Sequence, residues 1–178
     1  MPNWVKTNLT LTGNKDSIKK LLEKCYSLDE ETNAKNFFDF NGVIPMPSHI
    51  YRGDLGVKEQ EMYGEYNWYD WSRINWGTKW NSSDACYNFT PNGVIVEFQT
   101  AWNFPLPIIK AIESQYPDIK VSAMYADEDL GYNCGWYEDG SVTHAEDVWE
   151  NEHDKSFNFA CDVWGYDVDE MREEYGIA

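Results

Sequence analysis

The sequence predicts an α+β fold: an antiparallel sheet with helices on one face, carrying an aromatic-rich insertion and an acidic C-terminal β-hairpin and strand extension. Three observations predict it. Segments that alternate apolar with polar residues fall at 4–12, 93–102 and 119–125, and alternation marks a half-buried strand. Segments with apolar residues at helical spacing fall at 15–27 and 106–116. The resulting order, strand, helix, strand, insertion, strand, helix, strand, contains βαβ twice, which is the split βαβ of a ferredoxin-like sheet.

In the first strand Val5, Thr7, Leu9 and Leu11 alternate with Lys6, Asn8 and Thr10, and Gly13-Asn14 ends it. Ile18, Leu21, Leu22 and Cys25 then follow at i, i+3, i+4, i+7, with Lys19, Lys20 and Lys24 mostly opposite. This is an amphipathic helix with Asn14 or Asp16 as its cap. Residues 28–36 are polar and read as a loop. FFDFNGVIPMP, residues 37–47, is predicted as the second strand, bent at Gly42 and stopped by Pro45 and Pro47. Residues 48–65 lack a period and carry Gly53, Gly56 and Gly64, as a loop or short helical insertion would.

The stretch YNWYDWSRINWGTKWN, residues 66–81, fits no single period; a short helix over 69–74 and a turn at Gly77 are expected. In 93–102, Val94, Val96, Phe98, Thr100 and Trp102 share one face, while Ile95, Glu97, Gln99 and Ala101 form a mixed one. Pro105 and Pro107 suit the first turn of a helix whose apolar side is Ile108, Ile109, Ile112 and Tyr116. Residues 1–126 therefore read as one ferredoxin-like domain with an insertion at about 48–92. Residues 127–178 read as an acidic extension packed on it. They comprise a hairpin over 135–142 turning at Asp139-Gly140, a loop or solvated helix over 146–154, a strand over 156–164 with Phe157, Phe159, Cys161 and Val163 on one face, and a short helix opened by Asp167 and Glu170.

The composition, 42% hydrophobic and 16% aromatic over 178 residues, supplies a core and argues against disorder. The net charge of −17 is uneven: residues 127–178 hold 16 Asp and Glu against 2 Lys and Arg, a net of −14. That sign argues against direct nucleic-acid binding and against an anionic membrane surface. It leaves open a basic protein as partner, or an acidic face that imitates nucleic acid. Cys25, Cys86, Cys134 and Cys161 are far apart and make no zinc motif. They read as buried or inert thiols of a cytosolic chain, since no signal peptide or membrane span is legible. His49, His144 and His153 read as lone surface residues. No P-loop, dinucleotide fingerprint or Gly-x-Ser-x-Gly is present, so the expectation is no cofactor, no metal and no catalytic residue.

The sharpest candidate site is a ligand-binding cleft made by Trp76, Lys79, Trp80, Trp102 and Arg73. Indoles would stack on a planar, nucleotide-like ligand, and the two cations would meet its negative groups. The competing reading makes the indoles core, with Lys79 lying over them in a cation–π contact. Glu97 and Gln99 lie on the mixed face of their strand, and no second carboxylate is legible opposite them. Asp127, Glu128, Asp129, Glu146 and Asp147 form the candidate surface for a basic partner; they lack the spacing and central glycine of a calcium loop.

Met1-Pro2-Asn3-Trp4 before a strand, Trp76-Gly77-Thr78-Lys79-Trp80, and Phe98-Gln99-Thr100-Ala101-Trp102 followed by Pro105 occur together, with Pro45-Met46-Pro47 between. In these the chain resembles the YubB-like proteins of phages and plasmids. The resemblance covers roughly residues 1–125 and leaves the acidic tail beyond Tyr125 outside it. Asn103-Phe104 depart from the small apolar or proline-rich run that usually follows the TAW of that family. The resemblance implies a ferredoxin-like fold and a mobile-element origin, and carries over no catalytic residue. It favours a non-enzymatic phage protein that evades host defence by capturing a small nucleotide-like signal in the Trp-rich site. The rivals are an acidic nucleic-acid mimic that blocks a basic host protein and, third, a hydrolase with an unrecognised carboxylate site.

Overall fold

Burial of one face explains the first elements. The computed structural model describes residues 2–29, 32–150 and 152–177; Met1 of the opening motif and Glu30 and Glu31 of the expected loop lie outside them. Strand β1 (Trp4–Gly13) alternates buried and half-buried residues along its length. Helix α1 (Lys15–Lys24) starts at Asn14, whose side-chain oxygen accepts from the N–H groups of Asp16 and Ser17 at 3.0 and 3.1 Å. That satisfies two donors the helix itself leaves free. A two-residue ladder follows, β2 (Ser27–Leu28) with β3 (Lys35–Asn36), inside what reads from sequence as a loop.

The strand expected at 37–47 does not form. Its residues make a 3₁₀ turn over Phe40–Gly42, with Phe38 and Phe40 fully buried against Phe98 at centroid distances of 5.1 and 5.7 Å. Side chains replace a ladder partner here: the Phe40 N–H donates to Asn81 Oδ1 at 2.9 Å, and the Phe38 N–H to Asn36 Oδ1 at 2.8 Å. Gly42 fits because a Cβ there would stand 2.3 Å from the Lys24 carbonyl oxygen.

Helices α2 (Val57–Tyr63) and α3 (Trp68–Asn75) complete an insertion that ends where β4 (Ser83–Thr90) begins. β4, not 37–47, is the second strand of the split βαβ. β5 (Gly93–Ala101), α4 (Leu106–Gln115) and β6 (Ile119–Asp127) follow as the sequence predicts. The sheet continues into a hairpin, β7 (Gly135–Glu138) and β8 (Ser141–His144), giving the order β4-β5-β1-β6-β7-β8 with every pairing antiparallel. The first four positions have the ferredoxin-like order, and α1 and α4 lie on one face, where Ile18, Leu21, Ile108 and Ile112 join Val5, Leu9, Val96 and Val121 in the main core.

Beyond β8 the expected strand extension is absent, and residues 156–164 are helical. α5 (Ala145–Val148), α6 (His153–Trp164) and α7 (Val168–Tyr175) form the end of the described chain. α6 covers the opposite face of β6 and β1. Its last carbonyls accept from Asn8 Nδ2 (Val163 O, 2.9 Å) and Lys6 Nζ (Trp164 O, 3.3 Å), cations and amides being suited to a helix C-terminus. A second core gathers Ala126, Leu130, Cys134, Phe157, Cys161 and Val163 there. The reason for the misreading is that Ser156, Phe157, Ala160, Cys161 and Val163, the buried set, satisfy a helical period as well as a partial alternation. Three thiols are buried, and burial pushes Cys25 and Cys134 up to about 12, which keeps both protonated and inert; Cys86, by contrast, is exposed. No helix among the described residues is long and apolar enough to cross a membrane.

Candidate functional site

The Trp-rich stretch is held by its own short polar side chains. Asn67, buried, caps α3 by accepting from the Asp70 N–H at 3.0 Å. Ser72 Oγ donates to the Lys79 carbonyl at 2.7 Å, and Thr78 Oγ1 donates to the Ala101 carbonyl at 2.7 Å. Between these two ties Gly77 turns the chain at φ +80°. The loop is thereby pinned to the end of β5, beside Trp102.

The structure brings Lys79, Trp80 and Trp102 together. The Lys79 ammonium stands 4.4 Å from the Trp80 ring centroid, 5.0 Å from Trp102 and 6.0 Å from Tyr69. Among the described residues it has no ion-pair partner. Two aromatic faces at these distances attract a cation by about 1–2 kcal/mol. Trp102 adopts φ +74°, a conformation that costs a non-glycine residue of order 1 kcal/mol or more. It is held there from both sides: its N–H donates to Asn3 O at 2.9 Å, and its carbonyl accepts from Asn133 Nδ2 at 3.0 Å.

Trp76 lines the same cavity as Lys79 and Trp80 but does so from the core, whereas Trp102 and Arg73 do not line it. Trp76 is 4% exposed, donates Nε1 to the Ile44 carbonyl at 2.9 Å and meets Phe40 and Trp71 edge-on, so it is a core residue whose rim forms a floor. Arg73 is exposed and lies over Tyr69 at 5.2 Å, outside the cleft. The cation that does face the cleft with Lys79 is Arg52, which sequence reasoning missed. A cavity of about 280 Å³ is lined by Arg52, Trp68, Trp76, Lys79 and Trp80, with the amides of Asn41 and Asn81 at its edge. Arg52 reaches it because Tyr51 pairs with the Trp-rich stretch: Tyr51 N–H donates to Tyr66 O at 2.9 Å and Trp68 N–H to Tyr51 O at 2.8 Å. Arg52 Nη2 is fixed on the Met46 carbonyl at 2.9 Å. No local pattern in residues 48–65 signals this; it follows only from the long-range pairing.

Asp39 supports the same edge. Burial pushes its carboxyl up, but hydrogen bonds from Asn81, Ser27 and Asn41 outweigh burial and hold it below the usual range. Its stabilising contribution is thus present above the ordinary carboxyl pKa and is lost as pH falls through the lowered folded value. Asp39→Asn is expected to cost about 1–2 kcal/mol near neutral pH. Melting curves of wild type and variant should converge as the pH falls below the ordinary carboxyl range and through the lowered folded value; a constant gap would contradict the assignment.

The acidic residues expected to form one partner surface differ in exposure. Asp127 is 5% exposed and does not lie on the surface. Its carboxylate accepts from Asn3 Nδ2 (3.2 Å), Asn133 Nδ2 (3.0 Å) and the Asp129 N–H (3.0 Å), which replace the water a buried charge would lose. Glu128 accepts from the Trp4 N–H at 3.1 Å, and half-buried Glu146 from the Cys134 N–H at 3.3 Å. Asp129 and Asp147 are exposed. Further exposed acidity lies on the last two helices, at Asp154, Asp162, Asp169, Glu170, Glu173 and Glu174. His144 is not isolated: its Nδ1 lies 2.8 Å from the hydroxyl of buried Tyr125, whose pKa burial raises. Among the described residues no group of three or more His, Cys, Asp or Glu could hold a metal ion.

Residues 75–178 match the ferredoxin-like domain in Api92-like protein. The match begins inside α3 and takes in the acidic helices, so the tail that the sequence resemblance left out is part of the family pattern. No curated protein and no solved structure matches the chain.

Proposed function

Taking as premise that this chain belongs to the family of the ferredoxin-like domain in Api92-like protein, we propose that it is a non-enzymatic binding protein that captures a small planar anion in the cleft between Arg52 and Lys79. One observation carries the reading: two cations, neither in an ion pair among the described residues, line one cavity together with the indoles of Trp68 and Trp80. Indole faces suit a base or similar ring, and a guanidinium with an ammonium suits its phosphate. The size limits the ligand. About 280 Å³ is at the lower end of small-molecule sites, which run from about 300 to 1,000 Å³. The cleft therefore suits one ring with its charged group, of mononucleotide scale. In its finer form the reading is host-defence evasion by a phage or mobile element, through removal of a nucleotide-like signal.

Adenosine diphosphate is a suitable probe, with pyrophosphate as the control for charge without a ring. Titration calorimetry should show binding of the nucleotide that exceeds that of pyrophosphate. Arg52→Ala and Lys79→Gln should each weaken it about 10–100-fold, the value of one charge-assisted contact. Arg52→Ala should melt close to wild type, since Arg52 is exposed. A nucleotide that does not bind, or binds no more tightly than pyrophosphate, would remove the reading for this ligand scale. Native mass spectrometry of protein purified from its host separates the rival. Recovery of a basic protein, released by salt, would favour the acidic helices as a nucleic-acid-like surface.

A further inference from the structure

A cavity of about 680 Å³ lies away from the cleft, in a groove between α1 and the outer strand β4. Its floor is a run of rings in contact: Tyr26 with Phe37 at 5.8 Å, Phe37 with Tyr87 at 6.1 Å, and Tyr87 with Phe89 at 5.7 Å. Phe89 is 68% exposed and Tyr26 45%. Among the described residues β4 is ladder-paired on one side only, with the short β3 packed near it. An unpaired edge offers a row of free backbone donors and acceptors, and edges are normally blunted by lysine, proline, brevity or a cover. The other edge, β8, has four residues and leads into α5. β4 has eight residues, of which Asp84 is the one charge, and it lies before the bulge that ends at Cys86. Its regular portion, Cys86–Thr90, is uncharged.

We infer that β4 is a self-association edge, on which a second copy of this chain pairs antiparallel about a two-fold axis at Asn88. Asn88 is the centre of the regular portion, so this register uses all of it. Tyr87 of each copy then stands opposite Phe89 of the other, an aromatic cross-strand pair made twice. The two grooves join on the helix side of a continuous sheet. The two α1 helices then run antiparallel to one another on that same side of the sheet. A closed two-fold contact of this kind uses the same patch on both copies. The heavy acidity does not oppose it. β4 is the strand farthest from β7 and β8, and α6 packs over β6 and β1. At about 4.8 Å per strand, the two acidic lobes stand more than about 20 Å apart across the axis, beyond the Debye length of about 8 Å.

Sedimentation equilibrium of the full chain under reducing conditions, from about 1 to 100 µM, should give a dimer. Phe89→Lys should weaken it at least about 100-fold, because it places a cation on each side of the pair. At concentrations where both are monomeric it should melt like wild type, since the ring it removes is exposed. Thr90→Cys adds a register test. Cys86 and residue 90 of the same strand are about 13 Å apart and cannot bridge. In the paired edge Cys86 faces position 90 of the other copy, so oxygen should yield a covalent dimer, absent in Thr90→Cys with Cys86→Ser. A monomer throughout the range, or a dimer that survives Phe89→Lys and fails to cross-link, would overturn the inference.

Discussion

Trp76→Ala is expected to lose about 3–5 kcal/mol of stability, the largest effect of any single change in the Trp-rich stretch. The indole is 4% exposed and meets Phe40 at 5.9 Å and Trp71 at 5.3 Å, both edge-on. Truncation removes these contacts and leaves a cavity that the turn at Phe40–Gly42 cannot fill, because Gly42 is already against the Lys24 backbone. It also orphans the Ile44 carbonyl, which now accepts from Trp76 Nε1 at 2.9 Å. At about 2–4 °C per kcal/mol for a chain of this size, the melting point should fall by roughly 10 °C. Trp80→Ala makes the contrast. Its ring is half-buried and packs on Trp4 at 5.9 Å and on the Lys79 ammonium, so its loss should cost less stability and more binding. Urea titrations give both values, and a Trp76→Ala penalty below that of Trp80→Ala would reverse the roles assigned to the two residues.

That contrast shows what was legible in the sequence. β1, α1, β5, α4 and β6 each bury one face against one core, so burial wrote a period into them. β4 was missed because most of its residues are exposed and it shows no clean alternation. Phe37, Phe38 and Phe40 imitated a strand while their backbone bonds went to Asn36 and Asn81. At the site, a lysine set between indoles along the chain was visible, and so was Trp102 beside it. Whether an indole faces inward was not visible, because Trp76 and Trp80 differ by one helical cap and a glycine turn, not by neighbours in sequence. Arg52 needed the pairing of Tyr51 with Asn67, 16 residues on. Charge misled in the same way. Asp127 reads like Glu128 and Asp129 in sequence, yet it sits at the end of β6, where Asn3 and Asn133 converge on it.

Phe157→Ala tests how the acidic helices are joined to the sheet. Phe157 is fully buried in the second core, packed on Tyr175 at 5.7 Å. Its truncation is expected to cost about 3–5 kcal/mol. The two cores share a strand: Tyr125 of β6 points into the first and Ala126 into the second. Three further ties cross from α6 to the sheet, from Asn8, Lys6 and Trp164, the last donating Nε1 to Asp127 O at 3.0 Å. Losing the second core therefore exposes one side of the central strands. The expected melt of Phe157→Ala is a single transition at lower temperature, with hydrogen exchange rising together in α6 and in β1 and β6. The same lobe supplies Asn133, which holds the strained backbone of Trp102, so nucleotide binding should weaken in step with the loss of folded protein. A two-step melt, with residues 153–175 lost first while β1, β5 and Trp102 stay protected, would show instead that the acidic helices fold as a separate unit and that the site does not depend on them.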